Sequence, residues 1–476
     1  MSGIKARALT AMLMAGAMSL NGCATVGDLF QSGPTVPVGK PGAVKGFLGG
    51  VVADEPEAAL IGRSVLSAGG NAADAAAAMG FALAVTLPSR AGLGAGGACL
   101  VYDPARSGPG GGAPEALLFP AVAPANPGAA SRPASVPMLA RGLYAMQARY
   151  GSLPIEQLIV PAEQAARFGV KVSRALLRDV AVVAGPLGAD PGARAVFFAN
   201  GQPLQEGAML VQPELGSTIS QLRVAGLGDL YQGATARKLE AAMPAVGGGL
   251  SITDMRQALP RFAQPFSQPA PGNDILAALP EAGGVATVAA LQVLANGLSS
   301  PALPADAAEQ RSIAVAAAMR QNGVSAEQVL AADLKPATLG PLPASTSFGV
   351  VDRDGRAVMC ATSMGNLFGT GRIAPGTGIL LGASPAKTPQ PLLAVAMLYN
   401  PGAGQFHGMA GGSGQEAAPI AAGLSLAAGM LGKLPVTSPE PGRGNVIACP
   451  AYLPKNAQSC VWATDPRGAG LAVGSN

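Results

Sequence analysis

An α/β protein with strands inside and helices outside is what this sequence predicts, and three observations carry the prediction. Phe348-Gly349-Val350-Val351-Asp352 and Ala357-Val358-Met359-Cys360-Ala361 are apolar, β-rich runs on either side of an Asp354-Gly355 turn signal, and so form a hairpin. Val136 to Gly247 reads as a series of amphipathic helices separated by polar turns. Alanine-rich runs such as Ala72 to Thr86 are helices fit for close packing between sheet layers. With 49% apolar residues in a chain of 476, a sizeable core is assured.

Taken in order, Glu55 to Ala68 is helical and stops at Gly69-Gly70, and Ala72 to Thr86 follows as a second helix. Cys99 to Tyr102 is a short strand. Pro137 to Tyr150, Pro154 to Phe168, Leu215 to Ala225 and Pro280 to Gly297 are helices. Ser299 to Leu342 is rich in Ala and Pro and reads as a loop or helices leading to the hairpin. Ala417 to Leu431 is an apolar helix, and the tail from Pro435 onward is Pro-rich and lacks a strong structural signal.

Charged residues make up only 12% of the chain, and the net charge of +4 is spread without a Lys/Arg run, which gives nucleic acid no footing. Lys5 and Arg7 precede the apolar run Ala8 to Leu20, whose 13 residues are too few for a usual membrane span. With Leu20-Asn21-Gly22-Cys23 behind it, this segment resembles a bacterial lipoprotein signal, cleaved before Cys23 so that the thiol takes a lipid. The alternative is an ordinary secretory signal with an incidental cysteine. Lipidation implies a periplasm-facing protein held by its lipid alone, and Ala24 resembles the sorting residue of outer-membrane lipoproteins. Residues 1–22 are then signal and 23–43 a Pro/Gly-rich tether. Of the four remaining cysteines, Cys449 and Cys460 are the expected disulfide pair, while Cys99 and Cys360 are equally readable as buried thiols or as a bridge. No CxxC occurs, and neither a metal nor a cofactor is suggested.

Ser345-Thr346 stands at the head of the hairpin, where a hydroxyl suits an N-terminal nucleophile: self-cleavage would free the α-amine of that residue to act as general base. His407 is the sole histidine, so a Ser-His-Asp triad would have to use it and a multi-histidine metal site is impossible. Its turn-like setting, Gly404 to Gly408, points instead to a surface or strand-end residue.

From about Gly46 to Gly432 the chain resembles the γ-glutamyltranspeptidase family. Ser345-Thr346-Ser347-Phe348-Gly349-Val350-Val351-Asp352 lies without a gap over the family's Thr-Thr-His-x-Ser-Val-Val-Asp. Further landmarks are Gly69-Gly70-Asn71-Ala72-Ala73-Asp74-Ala75, Gly92-Leu93-Gly94-Ala95-Gly96-Gly97, Tyr150-Gly151-Ser152-Leu153-Pro154, Phe368-Gly369-Thr370-Gly371 and Pro375-Gly376-Thr377-Gly378. The resemblance implies an N-terminal nucleophile hydrolase fold, a four-layer αββα sandwich. It divides the chain into a large-subunit region, 44–344, and a small-subunit region, 345–476, whose fragments stay associated after cleavage. It makes Ser345 the nucleophile, Ser363 a second hydroxyl beside it, Asn366 a substrate-binding residue, and the Gly411-Gly412 backbone an oxyanion hole, although this pair also reads as a plain loop between strand and helix.

The family's glutamyl-binding side chains are largely missing. Pro120 stands where an arginine is expected. Gly382-Ala383-Ser384-Pro385-Ala386-Lys387 replaces an Asn-Asn-acid segment, with Ser384 and Lys387 in its polar positions. Leu393-Ala394 replaces a serine pair, and Ser347 the histidine after the nucleophile. The expected activity is cleavage of γ-glutamyl amides such as glutathione through an acyl-enzyme. The alternatives are an amidase or acylase with a more apolar acyl pocket, and a non-catalytic envelope lipoprotein of the same fold.

Overall fold

Strand alternation builds the layers. In Thr346–Asp352, Phe348 and Val350 join the core beneath the helices around residues 56–86, while Val351 joins the core between the two sheets. The computed structural model describes residues 47–106, 112–296, 303–321 and 323–474. The signal, Cys23 and the tether lie outside the described residues.

Thirteen strands form the two sheets: β1 (Gly49–Ala53), β2 (Gly96–Tyr102), β3 (Glu115–Phe119), β4 (Arg261–Ala263), β5 (Phe266–Ala270), β6 (Asp274–Ala278), β7 (Thr346–Asp352), β8 (Ala357–Ser363), β9 (Ala394–Asn400), β10 (Gln405–Ser413), β11 (Arg443–Leu453), β12 (Val461–Thr464) and β13 (Leu471–Gly474). One sheet has the order β13-β1-β7-β8-β2-β3-β4 and the other β12-β11-β10-β9-β6-β5, with antiparallel pairing throughout. The predicted hairpin is β7–β8, in register Phe348↔Cys360 and Val350↔Val358. Gly355 closes it with φ +81°, which its lack of a Cβ permits.

Helices α1 (Pro56–Ser67), α2 (Ala72–Thr86), α3 (Leu139–Tyr150) and α4 (Arg174–Gly188) lie on the side of the first sheet. Helices α5 (Ala282–Asn296), α6 (Ala305–Met319) and α7 (Ala418–Met430) cover the second. The order is therefore α-β-β-α, as predicted. All of α2 is buried, but between the first sheet and its surrounding helices rather than between sheet layers. Two sequence landmarks meet at its start. Asn71 and Asp74 form a capping box, and Asp74 also accepts from Ser152 Oγ at 2.7 Å and from the Ser152 and Leu153 N–H groups.

The tail departs from expectation. It supplies β11, which lies against β10 inside the second sheet, the edge strand β12, and β13 at the edge of the first. Its Pro content obscured the buried run Val446-Ile447-Ala448-Cys449, whose side chains enter the cores on both faces of that sheet. Trp462 packs so closely over Gly50 and Gly474 that a Cβ on either would stand 2.8 Å and 2.0 Å from its ring. Both disulfides form: Cys449–Cys460 as expected, and Cys99–Cys360 across the neighbouring strands β2 and β8.

Because Trp462 is the sole tryptophan and sits in the tail, its fluorescence tests whether the tail is integral. Denaturant unfolding followed by tryptophan emission and by far-UV circular dichroism is expected to give one coincident transition. An earlier fluorescence transition would mean that the tail docks as an appendage.

Candidate active site

The three hydroxyl residues at the head of β7 have different surroundings. Thr346 Oγ1 donates to Asp54 Oδ2 at 2.9 Å, and Ser347 Oγ accepts from Asn445 Nδ2 at 2.9 Å. Ser345 is 1% exposed, and its Oγ has no hydrogen-bond partner. A buried hydroxyl without a partner is costly, on the order of 1–3 kcal/mol; Tyr102 and Ser438 carry others, but that of Ser345 alone among these stands at the head of β7.

The backbone around Ser345 is pinned on both sides. Gln415 Nε2 donates to Leu342 O at 2.9 Å, Ser363 Oγ to Ala344 O at 2.7 Å, and Arg90 Nη1 to Ser345 O at 3.0 Å. Ser363 closes β8, across from the head of β7, which is why the register of the hairpin carries it to the carbonyl preceding Ser345. Arg90 is clamped by Asp179 through Nε at 2.7 Å and Nη2 at 2.6 Å, and Ser89 Oγ donates to the same carboxylate at 2.6 Å. Burial disfavours the Arg90 charge, but the Asp179 carboxylate outweighs it and raises the arginine's pKa above its usual value.

Beneath this segment, Asp54 gathers four donors: Thr346 Oγ1, the Ser347 N–H at 3.3 Å, Ser413 Oγ at 3.0 Å and Asn445 Nδ2 at 2.9 Å. Asn445 Nδ2 also reaches Ser347 O at 3.0 Å. Sequence reasoning missed Arg90, Asp179, Asp54 and Asn445. Arg90 stands two residues before the Gly92 landmark, and Asp54 immediately before the predicted helix that begins at Glu55. Asn445 lay in the tail that had been left without structure.

The other sequence candidates fall into separate places. Gly411 and Gly412 are not in a loop: they lie within β10, paired on one side with Val395 and Ala394 and on the other with Asn445 and Gly444. The ladder occupies their backbone, so they do not form a free loop offering two N–H groups. Glycine is demanded there by space, since a Cβ on Gly411 would stand 2.8 Å from Ser347 Cβ and one on Gly412 1.9 Å from Ala418 O. Asn366, which follows the turn at Gly365, φ +79°, is exposed, lines a groove with Arg132, Ser384 and Lys387, and is not among the residues that line a cleft with Ser363. Ser363 itself lines a cleft of about 350 Å³, and Pro120 and Leu393, two of the substitutions in the glutamyl site, line the same cleft. Ala394 packs on the far side, against Ala418 and Ala422. His407 lies near the start of β10, where it stacks on Tyr452 and bonds Asp274 rather than any of the residues around Ser345.

Two stacked antiparallel sheets between helix layers, with an unpartnered hydroxyl heading a central strand, define an N-terminal nucleophile hydrolase fold. The family model "Gamma-glutamyltranspeptidase" matches residues 58–331, more than half of the chain, and the chain belongs to that family. A glutathione hydrolase proenzyme of Escherichia coli is 27% identical over 390 residues, covering 71% of this chain and 66% of its own length. An acylase proenzyme, ACY 1, of a Pseudomonas species is 30% identical over 267 residues, 52% of this chain and 48% of its own. The chain thus spans about half to two thirds of the length of these curated relatives. The crystal structure of a cephalosporin acylase from Bacillus halodurans shares the fold, with a TM-score of 0.71 and 19% identity over 93% of this chain and 98% of that one.

Two substitutions test the site's framework. Asp54→Asn puts a donor among four donors and is expected to lower stability by about 1–3 kcal/mol in urea unfolding. Gly412→Ala must displace the Ala418 carbonyl and is expected to cost about 1–3 kcal/mol in the same measurement.

Proposed function

We propose that this chain is an autoprocessing amide hydrolase in which Ser345 attacks first the carbonyl of Ala344 and then that of a substrate amide. The observation that carries the reading is the buried, unpartnered Ser345 Oγ beside a carbonyl already hydrogen-bonded by Ser363. In the first step Ser345 Oγ adds to the Ala344 carbonyl carbon, and the developing oxyanion is held by the Ser363 hydroxyl. The Ala344–Ser345 C–N bond breaks, the hydroxyl proton passes to the departing nitrogen, and an ester forms. Water then hydrolyses the ester to an Ala344 carboxylate and a Ser345 that bears both a hydroxyl and a free amine.

That amine, with an ordinary pKa of about 8, is a competent base near neutral pH. It takes the Ser345 Oγ proton as the oxygen attacks the substrate amide and delivers it to the leaving amine, and water or a second amine resolves the acyl-enzyme. Ser363, bonded to the Ala344 carbonyl, lines the cleft, so withdrawal of the Ala344 end would open Ser345 toward it. Family membership favours γ-glutamyl amides such as glutathione as substrates. A second reading, an acylase for other acyl groups, is favoured by the Leu118, Pro120 and Leu393 lining of the cleft. Export and a lipid on Cys23, facing the periplasm from the outer membrane, complete the proposal on the strength of the amino-terminal segment.

The test is gel and intact-mass analysis of the signal-less protein beside Ser345→Ala. Cys99 belongs to the large fragment and Cys360 to the small one, so their disulfide would join the two after cleavage. The parent is expected to run as one species without reductant and as two with it, the smaller beginning at Ser345. The variant is expected to run as one species in both conditions. A parent that stays whole under reduction after long incubation would sink the enzyme reading and leave a non-catalytic envelope protein.

A further inference from the structure

The side-chain charges lining the cleft beside Ser363 are those of Glu281 and Arg320, on a wall otherwise built from apolar residues, prolines and small polar groups. They are not equivalent. Glu281 is already paired with Arg261, at 3.2 Å. Arg320, at the carboxyl end of α6, has no acidic partner among the described residues: its Nη2 donates to the Gln390 carbonyl at 2.6 Å. Although Arg320 is exposed as a residue, burial of its charged end lowers its pKa below the usual arginine value, with no carboxylate to offset the loss of water. Arg90, by contrast, is held by Asp179 on two nitrogens.

A guanidinium with spare donors, at a cleft whose other cation–anion pair is already closed, is matched by a carboxylate, which it can bind through two parallel hydrogen bonds. The same cleft, lined by Arg320 and Ser363, also offers Pro120, Pro391 and Leu393, surfaces suited to methylene groups. Building on the reading of Ser345 as nucleophile, we propose that Arg320 is a specificity residue that receives a carboxylate carried by the acyl part of the substrate, remote from the scissile amide. The cleft thereby replaces the missing arginine at Pro120 with a cation from a different element. Among the described residues the acid lining it is Glu281, which already pairs with Arg261, so the preferred acyl group is a dicarboxylic monoacyl chain rather than a zwitterionic one.

The experiment has a binding arm and a turnover arm, both on the full signal-less chain. In the first, glutarate binding is measured by ligand-observed NMR for the parent, Arg320→Ala and Arg320→Gln. The glutamine variant removes the charge and shortens the side chain while retaining an amide donor, and its thermal unfolding and butyryl turnover report separately on the pinning of the 385–391 segment. Both variants are expected to weaken glutarate on the order of 10- to 100-fold, the range of a charge-assisted hydrogen-bond pair, with unchanged thermal unfolding for Arg320→Gln. In the second arm, glutaryl, butyryl and γ-glutamyl anilides are compared. The parent is expected to prefer glutaryl over butyryl by a similar factor and not to favour γ-glutamyl over glutaryl. Arg320→Gln is expected to erase the glutaryl preference and leave butyryl turnover unchanged.

Equal glutarate binding by parent and Arg320→Gln overturns the assignment whether or not any anilide turns over. So does a variant that loses glutaryl and butyryl turnover alike, or a parent that favours γ-glutamyl. Arg320-dependent glutarate binding with no turnover of any anilide and no self-cleavage would instead overturn the hydrolase reading and leave the carboxylate site standing.

Discussion

One carboxylate holds the two sheets together at the point where the chemistry is placed. Asp54, at the end of β1, accepts from Thr346 and Ser347 on β7 of its own sheet, and from Ser413 on β10 and Asn445 on β11 of the other. Four donors converging on two oxygens leave little freedom to any of the four strands, because each lost bond would strand a polar group in a dry interior. The head of β7 is fixed in this way, and Ser345 is the next residue out. Its carbonyl is then held by Arg90 and that of Ala344 by Ser363, so the peptide group between them is fixed in place while the side-chain oxygen is not.

This division explains why a run of three hydroxyl residues presents one reactive candidate. Hydroxyls that support the sheets must be hydrogen-bonded, and Thr346 and Ser347 are. Ser347 stands where relatives carry a histidine, yet it is still anchored, through Asn445, which belongs to a strand contributed by the tail. The substitution and the unusual tail are therefore parts of one local arrangement.

The fold was legible where periodicity was strong. The β7–β8 hairpin declared itself by its Asp-Gly turn and its apolar runs, and α2 by an unbroken alanine-rich segment between Asn71 and Leu87. The layer in which α2 lies was not legible, since an all-apolar helix gives no face to orient. Short motifs also concealed their purpose: the Asn71–Asp74 and Ser152–Leu153 strings are two halves of one hydrogen-bonded junction. The glycine pair at 411–412 read as a loop because glycine usually breaks strands, whereas here it permits two layers to approach β10. Of the site, the hydroxyls could be named from the strand pattern and the resemblance. The charges that hold them, Asp54, Arg90 and Asp179, come from segments distant in the chain, and no local pattern ties such residues together.

The physics of the site separates its reactive part from its selective part. Ser345 and its anchors are buried or half-buried and joined by hydrogen bonds, so a change in one leaves others unsatisfied, and the group resists piecemeal substitution. The cleft wall combines buried side chains such as Leu393 and Leu118 with exposed ones such as Pro120 and Arg320, and its exposed positions accept substitution at small cost to stability. A cation such as Arg320 is tolerated there because one edge remains in water, and it is useful there because the other edge does not. On the proposed reading, substrate choice can thus move from one element of the fold to another while Ser345 keeps its place at the head of β7.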